Sequence, residues 1–353
     1  MNKRKALIRA YTVNNLGDDL FVYLLFRKFP DVNFYTDNFY NFNKVLEGIE
    51  NYKALPIFRN KRLLFLNKYL RLFYIFRFQT TVEIGGSIFV FPDATLQIIR
   101  RLKKPCKKKY FILGTNFGPF RDEEDRLLGL KLFKQINSIV FREKYSYDLF
   151  PELKNSDYAA DIVFSYQPEN ENEQKNEVVI TVVDYKRFEN GEDYINKLIE
   201  LIEHYTSKNK KVILYSFCQA EGDNKTITEI RNRLLEEKKV NLNYLSTYTH
   251  KKLKDSLDIL QEAQTIIASR FHAMILGWVL RKQTIVLHYS NKFTNVIKEF
   301  FPEQQCFEIR TLGDCKTEDI INSYFVADEI RLRKYREDAS NHFKRLMDHF
   351  NIN

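Results

Sequence analysis

Long apolar runs are missing from this chain. No stretch of about 18 uncharged apolar residues occurs in it, so no membrane span is expected. The opening, "MNKRKALIRAYTV", has only three apolar residues before Arg9 interrupts, which predicts a first strand and not a secretory signal. Cysteine is scarce as well. Cys106, Cys218, Cys306 and Cys315 lie far apart with no C-x-x-C pair, which excludes a disulfide framework and suits a reducing cytoplasm. There is no G-x-x-x-x-G-K-[ST] phosphate loop, no G-x-S-x-G nucleophile elbow and no H-E-x-x-H, and no metal is expected. No helix-turn-helix, zinc-finger or RNP-type pattern accompanies the basic residues, so nucleic acid is not an expected partner.

What is present is a chain of 353 residues, 44% hydrophobic, with a formal net charge of +10. That length suits two domains of ordinary size, and that charge favours anionic partners such as phosphorylated substrates or lipid head groups. Short apolar runs alternate with longer amphipathic segments, the signature of an α/β protein with mostly parallel sheets. The predicted strands are 6–11, 81–85, 110–114 and 138–142 in the first half, and 178–183, 211–217, 265–269 and 284–289 in the second. The polar stretch "YQPENENEQKNE" at 166–177 reads as a linker. It divides an N-terminal Rossmann-like domain, 1–165, from a C-terminal one, 178–325. Residues 326–353 end in a helical pattern expected to pack back on the first domain.

Unusual residues gather just after the predicted strands: "NNLGDD" (14–19), "GGSIF" (85–89), "GTNFGPF" (114–120), "REKYS" (142–146) and "SRFHA" (269–273). In open α/β sheets ligands bind outside the carboxyl ends of the strands, so a site is expected there. If "TIIA" is a strand, Ser269 is the expected N-cap, with Arg270 and His272 in the first helical turn. Free backbone N–H groups and the helix dipole favour an anion at that point, and arginine adds a two-pronged donor for phosphate or carboxylate. An anion bound there also favours protonated histidine, which makes His272 a proton donor. The plainer alternative is a surface arginine beside a histidine satisfied by backbone. Arg142 likewise follows a strand directly, either as a ligand cation or as one half of an ordinary ion pair.

The segment "FRNKRLLFLNKYLRLFYIFRFQ" (58–79) differs in kind: lysines and arginines interleave with aromatic rings and leucines, and no acidic side chain occurs. On a helix this composition fits an anionic membrane surface, and also a core-packing helix with a solvated face. A second basic run, "RRLKKPCKKKY" (100–110), follows.

The ordered set "NNLGDD", "GGSIF", "GTNFGPF", "REKYS" and "SRFHAMILGWVLRKQTIVLHYSNK" resembles the polysaccharide pyruvyl transferase family, over about residues 10 to 300. The last block, ending in Tyr289 and Lys292, is the most specific. Where family members often have three glycines, this chain has Gly85, Gly86 and Ser87. The resemblance implies two Rossmann-like domains facing a cleft in a GT-B-like arrangement. It also implies phosphoenolpyruvate as co-substrate with no further cofactor, a sugar diol on a glycan or lipid-linked precursor as acceptor, and a pyruvate ketal as product. It assigns donor binding to Arg142, Arg270, His272 and Gly118. His272 is expected to serve as the general acid or to stabilise the departing phosphate. Loop position alone suggests Asp18 as base, with Asn15, Asp19 and Asp93 toward the acceptor. A cytoplasmic location, peripheral at the inner membrane face, would follow. Two other readings are a GT-B glycosyltransferase using a nucleotide sugar and a non-catalytic membrane-surface partner in glycan assembly.

Overall fold

Each of the eight predicted apolar runs forms a strand, with ends shifted by a residue or two. The computed structural model describes residues 4–11, 13–36, 42–46, 48–58, 60–102, 109–170, 172–237 and 241–352. Residues 103–108 of the second basic run, and Arg59 of the first, lie outside that range. The chain forms two compact units. One comprises Met1–Thr12, Asp18–Ser165 and Tyr335–Asn353; the other comprises Val13–Gly17 and Tyr166–Lys334.

The first unit holds strands β1 (Arg4–Ala10), β2 (Val32–Thr36), β3 (Tyr52–Ala54), β4 (Thr80–Ile84), β5 (Lys109–Thr115), β6 (Ser138–Phe141) and β7 (Ser156–Tyr158). They pair in the order β3-β2-β1-β4-β5-β6-β7, every pair parallel. The second unit holds β8 (Glu177–Thr181), β9 (Lys211–Ser216), β10 (Leu245–Thr249), β11 (Thr265–Ala268), β12 (Gln283–His288) and β13 (Cys306–Glu308). Their order is β10-β9-β8-β11-β12-β13, again all parallel. Strand order reverses at β1/β4 in one sheet and at β8/β11 in the other. These are the topological switch points where doubly wound sheets open a crevice at their carboxyl ends.

Parallel strands covered on both faces favour near-continuous apolar runs, as in β11; β4 is equally buried along its length but carries Glu83, which accepts from the Tyr110 hydroxyl and pairs with Arg101. In the second unit the helix Gly191–Ser207 turns Tyr194, Leu198, Leu201 and Tyr205 onto the sheet at helical spacing, against Val178, Ile180 and Ile267. In the first unit Phe89, Phe117, Phe133, Phe141 and Phe150 form the aromatic centre of one core, mostly edge to face.

The final segment is not one helix. It runs Glu329–Ala339, a tight turn at Ser340–Phe343, then Lys344–Phe350. At the break the Ser340 hydroxyl donates to the Glu337 carbonyl, while His342 turns inward and bonds the Ala160 carbonyl through Nε2 at 2.9 Å. Phe343 and Phe350 pack edge-on against Phe29 of the same unit. Burial pulls His342 down from its ordinary 6.5 to about 4. The unfolded chain therefore binds more protons than the folded one between those values, and stability falls as pH drops from about 6.5 toward about 4. The shift corresponds to a loss on the order of 3 kcal/mol. Denaturant titrations between pH 7 and 4 should show this loss in the parent chain and a visibly flatter profile for His342→Gln.

Candidate functional site

In the second unit the switch point is occupied by Arg270. Its Nε donates to the Val182 carbonyl just beyond β8, at 3.3 Å, and its two terminal nitrogens pair with Glu221 and Asp223. Burial opposes the charge, but the two carboxylates outweigh it and hold the guanidinium above its ordinary value. Glu221 is held below the usual carboxylate range because Arg270 overcomes its burial, whereas burial pushes Asp223 up against the pull of the same arginine.

Ser269 is not the helix N-cap. Its hydroxyl accepts from Tyr194 at 2.9 Å and its N–H donates to Thr181 Oγ1, so Arg270 takes the cap position and the helix spans Phe271–Val279. His272 lies in the first turn, half-buried, as the spacing predicts. Its imidazole lies against Gly17: a Cβ built there would sit 1.8 Å from His272 Nδ1. Asn15 fastens this glycine, accepting from the Gly17 N–H at 3.1 Å and donating toward Glu221 at 3.4 Å. The Leu16 N–H bonds the Phe217 carbonyl at 3.2 Å, and Asn15 bridges Cys218. The segment Val13–Gly17 thus belongs with the loop that holds the Arg270 carboxylates. Lys292 stands over the rings of Phe271 and Tyr289, at 5.3 and 5.7 Å, adding a second cation held by aromatic faces.

In the first unit Arg142 is buried at the end of β6. It pairs with Asp161 at 3.1 Å and donates to Asn116 Oδ1 at 2.7 Å. The guanidinium lies so close over Gly86 that a Cβ there would come within 2.2 Å of it. Only glycine admits that approach. Burial pushes the Asp161 carboxyl up against the pull of Arg142. Glu143 and Ser146 act on the neighbouring loop: the Ser146 hydroxyl donates to Glu143 at 2.6 Å and accepts the Phe117 N–H at 2.8 Å. Gly118, at φ +114°, turns that loop, its N–H bonding Phe89 and its carbonyl accepting from Asn116. Asp18 Oδ1 lies 3.8 Å from a Cβ built on Gly85, and Asp19 is fully buried. Asp93 is exposed in the first turn of the helix Asp93–Leu102.

The two sets of residues are therefore Asn15, Gly17, Arg270 and His272 in one unit, and Gly86, Asn116 and Arg142 in the other. Glu221, Asp223 and Asp161 were not among the residues expected from the sequence. The acid-glycine pattern in "QAEGD" after β9 is the one signal that points to the first two. Among the described residues no group of three or more His, Cys, Asp or Glu could hold a metal ion, and no helix is long and apolar enough to cross a membrane.

Solved structures share this fold at low identity. The UDP-GlcNAc 2-epimerase of Methanocaldococcus jannaschii aligns with a TM-score of 0.59 and 10% identity, over 98% of this chain and 99% of its own. Its counterpart from Rickettsia bellii gives 0.59 and 12%, over 98% and 96%. Anabaena Alr3699/HepE, solved with UDP and glucose, gives 0.56 and 10%, over 98% and 95%. At such identities the likeness speaks for the GT-B type of α/β fold alone. The sequence profile of the polysaccharide pyruvyl transferases matches residues 15–291, a span that contains Asn15, Gly17, Gly86, Asn116, Arg142, Arg270 and His272. This chain belongs to the polysaccharide pyruvyl transferase family.

Proposed function

We propose that the protein transfers the enolpyruvyl group of phosphoenolpyruvate to two hydroxyls of a sugar on a cell-surface glycan or its lipid-linked precursor. The product is a pyruvate ketal, with release of phosphate. The observation that carries the reading is Arg270 at a switch point with His272 in the first turn of the helix it caps, within a chain of this family. Phosphoenolpyruvate carries a phosphate and a carboxylate close together, which suits arginine forks. Arg270 and Arg142 are the donor-binding cations, and Gly118 contributes backbone.

Protonation of the methylene carbon by His272 converts it to a methyl group and leaves an oxocarbenium-like centre at C2. One sugar hydroxyl adds there and gives its proton to a carboxylate, assigned to Asp18. The C2–O bond to phosphate then breaks, and the second hydroxyl closes the ring. Two hydroxyl protons are released; one replaces that given to the methylene and the other leaves with phosphate. Asn15, Asp19 and Asp93 are assigned to the acceptor side.

The test is turnover with an oligosaccharide acceptor and either phosphoenolpyruvate or UDP-sugars. Phosphate release in step with ketal formation is expected. Nucleotide release from a UDP-sugar, with no phosphate from phosphoenolpyruvate, would instead mark a glycosyltransferase.

A further inference from the structure

The basic-aromatic segment of the first unit takes no part in the chemistry proposed above. It forms a tight helical turn at Lys61–Leu66, running directly into a helix at Asn67–Arg77. One face of this helix is committed to the core: Asn67 and Tyr74 are buried, and Leu70 packs against the cluster that Tyr74 forms with Leu7 and Phe78. Asn67 also closes both hydrogen bonds with the Phe58 backbone, and the Tyr74 hydroxyl donates to the Pro56 carbonyl. The element is thus anchored from within and cannot roll to bury its other side.

That other side is apolar. Tyr69 and Phe73, one turn apart, are each 58% exposed, and Phe65 is 61% exposed. Leu63 and Leu64 are exposed beside them, and no residue of Lys61–Leu66 is buried. Five large apolar side chains in one short element face outward, although single exposed ones are ordinary. Lys61, Arg62, Lys68, Arg71 and Arg77 are exposed along the same element, and no acidic residue occurs between 58 and 79.

We infer that this element docks the protein on an anionic lipid surface, with Phe65, Tyr69 and Phe73 entering the interface and the flanking cations meeting lipid phosphates. Rings between cations on an anchored helix match the interfacial amphipathic pattern. A second copy of the chain is a poor occupant, because pairing this patch with itself would bring two segments rich in Lys and Arg, neither containing an acidic residue, against each other. The docking does not depend on which donor the enzyme uses.

Sedimentation with sucrose-loaded vesicles tests it on the full chain. The protein should pellet with phosphatidylcholine vesicles containing a quarter phosphatidylglycerol, and should stay in the supernatant with pure phosphatidylcholine. Lys61→Gln/Arg62→Gln/Lys68→Gln should lower the partition coefficient by on the order of 100-fold, since each cation near such a surface contributes about 1 kcal/mol. Phe65→Ser/Tyr69→Ser/Phe73→Ser should abolish pelleting at equal charge. These side chains are exposed, so circular dichroism and turnover on a free oligosaccharide should be unchanged. Equal pelleting by all three proteins, none by the parent chain, or a parent dimer that the serine variant converts to monomer would each overturn the inference.

Discussion

Arg142→Ala should destabilise the chain by about 3–5 kcal/mol and sharply lower turnover at limiting phosphoenolpyruvate, and adding Asp161→Asn should return most of the stability but not the parental donor affinity. The first loss follows from burial. Asp161 is fully buried, its carboxyl is already pushed up by desolvation, and Arg142 is the cation that opposes this at 3.1 Å. Without the arginine an uncompensated carboxylate stays in the interior; the asparagine removes that charge. A residue serving only the fold would then be dispensable, and the double variant would regain turnover. A donor-binding residue would not be, and KM for phosphoenolpyruvate should stay about 10- to 100-fold high, the range expected for a lost charged hydrogen bond. Chemical denaturation and steady-state kinetics on the two variants separate these outcomes. His272→Ala should differ from both, lowering kcat with a smaller change in donor affinity, because an acid acts mainly in the transition state.

Gly17→Ala should lower kcat by about 10²- to 10⁴-fold, as much as His272→Ala, without destabilising the fold. The glycine is helical and takes no left-handed conformation, so alanine suits its backbone and slightly favours the helix. The added methyl, however, would occupy the place of the imidazole, at 1.8 Å from Nδ1. The ring must rotate away, and the proton donor goes with it. Because both changes remove one function, the double variant Gly17→Ala/His272→Ala should be no worse than either single one. Multiplying losses, or near-parental activity in Gly17→Ala, would mean that the position of His272 against this glycine is irrelevant to the reaction.

Much of this architecture is legible in the sequence, for a physical reason. Strands covered on both faces need continuous apolar runs, and "VVIT", "TIIA" and "SIVF" announce themselves. The strands not foreseen are β2, β3, β7, β10 and β13. Three of these have only three residues, and β10 at a sheet edge carries "LSTYT" with no residue fully buried. A strand exposed at an edge has no need of an apolar run. Arg270 and His272 are legible because a strand end and a helix start are local events. Ser269 does not cap the helix, because Tyr194, 75 residues away, claims its hydroxyl. The carboxylates that surround Arg270 come from 47 and 49 residues away, and the partner of Arg142 from 19, separations at which only the folded chain brings charges together.

Calorimetric titration of phosphoenolpyruvate into the parent chain, Arg270→Lys and Arg142→Ala/Asp161→Asn tests the donor assignment most directly. Lysine keeps the charge beside Glu221 and Asp223 but loses the fork. Saturable binding by the parent chain, weakened about tenfold or more in both variants, with no heat from UDP-glucose, is the expected result. Binding of UDP-glucose with none of phosphoenolpyruvate, or equal phosphoenolpyruvate affinity in all three proteins, would contradict it.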